Sequence, residues 1–247
     1  MLPKNGQRRM EVVQRGSNHG QRSKHGVFEL ASMLDLKDEP MNSNEFKRQL
    51  DELQRQIFHA IVSYHVRLAL WETPEVVDIL NRYRGFFIPV RDALYGTWVM
   101  GFAKVFDRDS RTVSLKNLMK VAKEDVSNLV PKMTGKKIDE LEQRLSQHDT
   151  ILRTIKRLRD QHLAHLDAAP EPKLPLIKKD VDQMIETLED VFNQLSQGHD
   201  GSEYSWSYQT NRSAWETSEI LRILSEDAQE QKARADALMR AVENDQA

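Results

Sequence analysis

Apolar residues recur at helical spacing through most of this chain, and nowhere do they take up the two-residue alternation of a half-buried strand. From Asn42 the stretch NSNEFKRQLDELQRQIFHAIVSYHVRLALWE sets Phe46, Leu50, Leu53, Ile57, Ile61 and Tyr64 on one face, with Asn42 or Ser43 placed to cap it. A second long helix is predicted over ETPEVVDILNRYRGFFIPVRDALYGTWVMGFAKVFDRDS. Thr73 is its N-cap, Pro74 occupies the first position, where a missing N–H costs nothing, and Pro89 should kink it. Its apolar load, through Phe86, Phe87, Val90, Leu94, Trp98, Phe102 and Phe106, marks it as the central and most buried element.

After the polar turn DRDSRTV, two shorter helices are read in SLKNLMKVAKE and GKKIDELEQRLS. The segment TIKRLRDQHLAHLD belongs to a helix that starts near Asp149 or Thr150 and stops before AAPEPKLP. LIKKDVDQMIETLEDVFNQLS follows, then the connector QGHDGSEYSWSY, and a last amphipathic helix from about Ser213. The expectation is an all-α fold, an up-and-down helical bundle with an additional C-terminal helix, and no repeat of fixed period. It divides into a basic tail over 1–41 that reads as disordered, a bundle over 42–198, and a polar hinge with the amphipathic helix over 199–247.

Composition narrows the chemistry. With 39% hydrophobic and 30% charged residues the chain has the make-up of a soluble protein with a core. Cysteine is absent, so thiolate metal sites and disulfides are excluded, and a nucleophile must be oxygen, nitrogen or a group of the substrate itself. No apolar run has the length of a membrane span, and the basic N-terminal residues lack the hydrophobic block of a secretory signal, so a cytoplasmic protein with no membrane partner is expected. The net charge of −2 argues against a general nucleic-acid coat protein. Charge is unevenly spread, however. Met1–Phe28 holds six basic residues against Glu11 alone, and Glu216–Ala247 holds eight acidic residues against four basic.

The densest polar chemistry lies in TIKRLRDQHLAHLD. At about 100° per residue Ile151, Ile155 and Leu158 share a face, His162 falls within it, and Arg159 and His165 lie at its edges. Arg159, His162 and His165 form a diagonal row, while Arg153, Lys156 and Arg157 lie outward. Plain structural readings exist for each: a histidine packed in the core, and a solvated basic face. A metal site from His162, His165 and Asp167 is disfavoured, because Asp167 points away on a continuous helix and the glutamate spacing of helical zinc proteases is missing. His19 and His25 have no accompanying carboxylates. No Gly-rich phosphate loop precedes a helix. The aromatics of the second helix fit a core better than a base-stacking platform, whereas Trp206 and Tyr208 are better placed for stacking or for packing on a partner.

RDQHLAH, an arginine followed after five residues by a histidine, resembles the signature of the HEPN superfamily. ILNRYRGFFIPVRDALYGTWVMGFAKVFD, SLKNLMK and LRDQHLAHLD occur in the order seen in HEPN-like proteins of the abortive-infection U type, over roughly 42–197. The resemblance implies a metal-independent endoribonuclease without cofactor, acting as a homodimer whose two motifs meet in one cleft. It further implies a role in phage defence or as a toxin, with an antidote or regulatory protein as a partner. RNA brings its own nucleophile, the 2′-OH, so such an enzyme needs proton transfer and stabilisation of phosphorane charge. The resemblance assigns the proton-transfer role to His165 and phosphate anchoring to Arg159, with Asp160 orienting one of them by hydrogen bonding. Helical geometry alone makes His162 the nearer neighbour of Arg159, and the choice between the two histidines stays open. Arg153, Lys156 and Arg157 would extend the RNA-binding strip. The alternative is a non-catalytic helical module for dimerisation or RNA binding.

Overall fold

The structure is a computed structural model that describes residues 41–160 and 176–245, the side chains of Gln209, Glu243 and Asp245 excepted. The basic N-terminal tail lies outside the described residues, within which every element is helical and there is no strand. The fold is all-α. Its elements are α1 (Ser43–Leu70), α2 (Pro74–Asn81), α3 (Arg84–Val105), α4 (Leu115–Glu124), the single turn α5 (Val126–Leu129), α6 (Gly135–Ser146), α7 (Asp149–Leu158), α8 (Lys178–His199) and α9 (Trp206–Asp245).

Side-chain caps explain many of the starts. Asn42 accepts the Glu45 N–H at 2.9 Å, and Thr73, Ser114 and Thr134 do the same for α2, α4 and α6 at 3.3 to 3.4 Å. One boundary departs from the predicted pattern. The second long helix is interrupted at Arg82 and Tyr83, and Pro89 lies inside α3 rather than at the break. Both interrupting residues are held by the last helix: Arg82 Nη1 donates to the Ala228 carbonyl at 3.2 Å and the Tyr83 hydroxyl to Asp227 at 2.6 Å. Tertiary contacts that span more than a hundred residues therefore sit at the break.

A second departure concerns the hub. α1, rather than α3, is the central helix, packing against α3, α9, α4 and α8. Its Phe46, Leu50, Leu53, Ile57, Ala60 and Ile61 are all buried. α3 contributes Trp98, Val99 and Phe102 from its second half, but Phe86 in its first half is 66% exposed. α1 and α3 cross so closely that a Cβ on Gly101 would stand 2.7 Å from the Ala60 Cβ, which is why the position has no side chain. Phe192, Leu188 and Leu195 of α8, with Leu118 and Met119 of α4, complete the main core. Burying side chains of this size stabilises by about 1.5–3 kcal/mol each.

α9 starts at Trp206, earlier than the predicted Ser213, because Trp206 is buried against Phe192 and Tyr204 at ring separations of 5.6 and 6.0 Å. That burial removes Trp206 as a stacking platform, while Tyr208 is exposed. The connector 200–205 is fastened to the bundle: Asp200 pairs with Lys47 at 3.0 Å, its carbonyl accepts from Lys132 at 2.7 Å, and Tyr204 exchanges two hydrogen bonds with Asn193. Gly201 turns the chain there at φ 91°, a left-handed conformation that favours glycine. Leu221, Leu224 and Ala228 seat α9 on the body, and the described side chains from Gln229 to Val242 are exposed.

Candidate active site at the end of α7

α7 is short and strongly two-sided. Ile155 and Leu158 are buried in the main core, Ile151 and Leu152 pack partly against it, and the helix lies on α3. Arg153, Lys156 and Arg157 are exposed on the outer side, where Arg153 donates to the Asp149 carbonyl at 3.2 Å. After Leu158 the helix continues through Arg159 and Asp160 as a wider π-type turn. Single π-type turns of this kind occur frequently at functional sites. His162 and His165 themselves lie outside the described residues.

The Arg159 guanidinium is gripped from two directions. Nε donates to Asp160 Oδ1 at 2.7 Å and Nη2 stands 2.6 Å from the same oxygen. Nη1 donates to Asp107 Oδ2 at 3.5 Å. The Arg159 side chain is 19% exposed, Asp107 25% and Asp160 44%, so the group forms a half-buried cluster with one face open. One cation between two carboxylates leaves a local surplus of negative charge. Its long, planar fork is thereby fixed in direction, with N–H edges set before any anion arrives.

Asp107 was not among the residues singled out from the sequence. It stands directly after α3 and Phe106, at the end of the VFD segment that carries part of the resemblance. Nothing in spacing links it to Arg159, 52 residues away. The loop that bears it is stiffened by its own side chains. Asp109 N–H donates to Asp107 Oδ1 at 3.1 Å, the Asn117 amide donates to the carbonyls of Asp109 and Thr112 at 2.7 and 2.8 Å, and the Thr112 hydroxyl donates to Asp109 at 2.8 Å. Arg111, through side chain and backbone, holds the Asp109 carboxyl well below the usual carboxylate range.

The other side of α7 faces α8. A cleft of about 330 Å³ there is lined by His148, Thr150, Thr154, Ile177, Asp180 and Gln183 among others. Thr150 and Thr154 point roughly 180° and 140° away from Arg159 at 100° per residue, so this cleft and the Arg159 cluster are separate features. His148 Nε2 lies 2.9 Å from the Thr187 hydroxyl, and burial pushes its imidazole below the ordinary value. Among the described residues no cluster of three histidine, aspartate or glutamate side chains has the arrangement of a metal site, and no helix is long and apolar enough to cross a membrane.

Comparison with known proteins gives one match. The model of the HEPN family described as AbiU2 covers residues 43–219, from the start of α1 into α9. No curated protein and no solved structure matches the chain. The matched span takes in α1 to α8, the Asp107 loop and the Arg159 cluster, and it leaves out α9 beyond Glu219, including the whole of its exposed second half. With well over half its length matched, the chain belongs to the AbiU2 family of HEPN proteins, an abortive-infection family.

Proposed function

We propose that the chain is a metal-independent endoribonuclease of HEPN type that acts in phage defence or as a toxin. The observation that carries this reading is the Arg159 guanidinium, half-buried, pinned by Asp107 and Asp160, and standing at a π-type turn beside the exposed Arg153, Lys156 and Arg157. A guanidinium held in this way suits two phosphate oxygens and the charge that builds on them as the 2′-OH attacks. His165 moves the proton, with His162 as its partner or support, and Asp160 orients Arg159. The RNA strand lies on the basic face of α7, and a homodimer supplies a second motif to the same cleft. A regulatory or antidote protein keeps the activity in check.

One observation favours a second reading. Two carboxylates on one guanidinium also describe a purely structural ion-pair cluster, as expected of a non-catalytic dimerisation or RNA-binding module. Incubating the purified protein with total RNA in the presence of a chelator separates the two. Cleavage leaving 2′,3′-cyclic phosphate ends supports the enzyme. Arg159→Ala and His165→Ala should each lower the rate by about 100-fold or more with helix content unchanged. Wild-type rates in either variant would sink the assignment.

A further inference from the structure

The loop that delivers Asp107 to Arg159 also touches the opposite end of α7. Arg108 Nη2 stands 3.7 Å from Asp149 Oδ1, and Lys116 Nζ, from the first turn of α4, stands 3.7 Å from the same oxygen. Two cations thus converge on one carboxylate and leave a surplus of positive charge, the reverse of the Arg159 end. Neither approach is a hydrogen bond, and that oxygen, shielded from solvent, has no hydrogen-bond partner. The Arg108 side chain is 69% exposed. The cations are held near Asp149 without being used up by it.

The two ends are mechanically joined. Asp107 and Arg108 are consecutive on the stiffened loop, so one piece of backbone sets both the clamp on Arg159 and the cation over the helix start. Ten residues of α7 separate Asp149 from Arg159, about 15 Å at 1.5 Å per residue. Between them Lys156 lies within about 20° of the direction of Asp149, and Arg153 within about 40°. Arg159 itself lies about 80° from that direction, so the positive groups follow the exposed side of the helix and turn toward its core edge at the far end.

We propose that Arg108 and Lys116 form a second phosphate anchor for single-stranded RNA lying along α7, with Arg153 and Lys156 beneath it and Arg159 at its far end. The proposal rests on the ribonuclease reading above and adds to it. At the ~3.4 Å rise of a duplex DNA strand the span corresponds to about four stacked nucleotides. A separate anchor has a physical reason: the negative surplus around Arg159 disfavours the first approach of a phosphate, and the positive surplus at Asp149 offsets it. The planar guanidinium of Arg108 suits a phosphate bidentately, and Lys116 adds a point charge.

Binding, rather than cleavage, tests it. The full chain carrying His165→Ala is titrated with a short fluorescein-labelled single-stranded RNA across a salt series, alone and with Arg108→Ala, Lys116→Gln or both. Each substitution should weaken binding about tenfold at low salt and reduce the slope of log K against log salt by about 0.7, the value for one lost phosphate contact on a single strand. Asp149→Asn should tighten binding, because it removes the negative charge that an incoming phosphate meets beside the two cations. Unchanged affinity and slope in Arg108→Ala, which is exposed and leaves the core untouched, overturns the anchor. Reduced binding together with a wild-type chain that cuts no RNA keeps the anchor and sinks the nuclease, so the two readings fail separately.

Discussion

At its first turn α7 presents one carboxylate, Asp149, to two cations; at its last it presents one guanidinium, Arg159, to two carboxylates. The distances differ in the same sense as the charges. Arg108 and Lys116 stay 3.7 Å from Asp149, whereas Asp160 takes two guanidinium nitrogens at 2.6 and 2.7 Å. The Asp149 end is loosely paired and positive, suited to capturing a polyanion through charge. The Arg159 end is tightly paired and half-buried, suited to holding one group in one direction. On the proposed reading a short helix separates attraction from positioning, which a uniform row of lysines and arginines would not.

Breaking the tight end should have the largest effect. Arg159→Ala removes the fork itself and should cost the 100-fold or greater loss of cleavage given above. The carboxylates that hold the fork come next, and they should not be equal. Asp160→Ala deletes both short bonds and should slow single-turnover cleavage about tenfold. Asp107→Ala deletes the 3.5 Å contact, and with it the 3.1 Å bond that Asp107 accepts from the Asp109 N–H, and should slow it about twofold, since the grip on Arg159 at that length is weak. Both substitutions also remove negative charge, so RNA should bind at least as tightly to either variant as to the wild type. A rate loss larger in Asp107→Ala than in Asp160→Ala would overturn the ranking and assign the main grip to the loop.

The contrast between the ends also marks what the sequence made legible. Local signals carried well: Asn42 as a cap, Thr73 followed by Pro74, and the periodic Phe46, Leu50, Leu53 and Ile57 each correspond to an element or a buried face. Arg159 and Asp160, neighbours in sequence, could be singled out through the HEPN-like motif. Asp107, Arg108 and Lys116 could not, because their partners on α7 lie 52, 41 and 33 positions away and no spacing rule spans a loop. The same holds for the break at Arg82 and Tyr83, where Asp227 and Ala228 of α9 make contact, and for Phe86, whose apolar side chain is exposed although its helix reads as buried throughout. Periodicity ranks faces by hydrophobicity. It does not say which helix becomes the hub, and here α1 packs against α3, α9, α4 and α8.

The smallest expected effect distinguishes the two ends by pH. An arginine carries its charge at every pH a protein tolerates. His148, directly before Asp149, is different. Burial holds its imidazole below the ordinary value of 6.5, against the opposing pull of Asp180, and its Nε2 meets the Thr187 hydroxyl. Because the folded-state value lies below the unfolded one, the unfolded chain binds more protons in the interval between them. The stabilisation from this residue is therefore complete above about pH 6.5 and is lost as pH falls through the folded value. Replacing it by glutamine, which keeps a hydrogen-bonding group for Thr187 and cannot titrate, should make the fall in Tm on acidification shallower by about 2 °C, a small figure because the ring is partly screened by solvent. Parallel curves for the two proteins, compared across pH 5 to 8 by thermal denaturation, would mean that acid does not act on the start of α7 through its histidine.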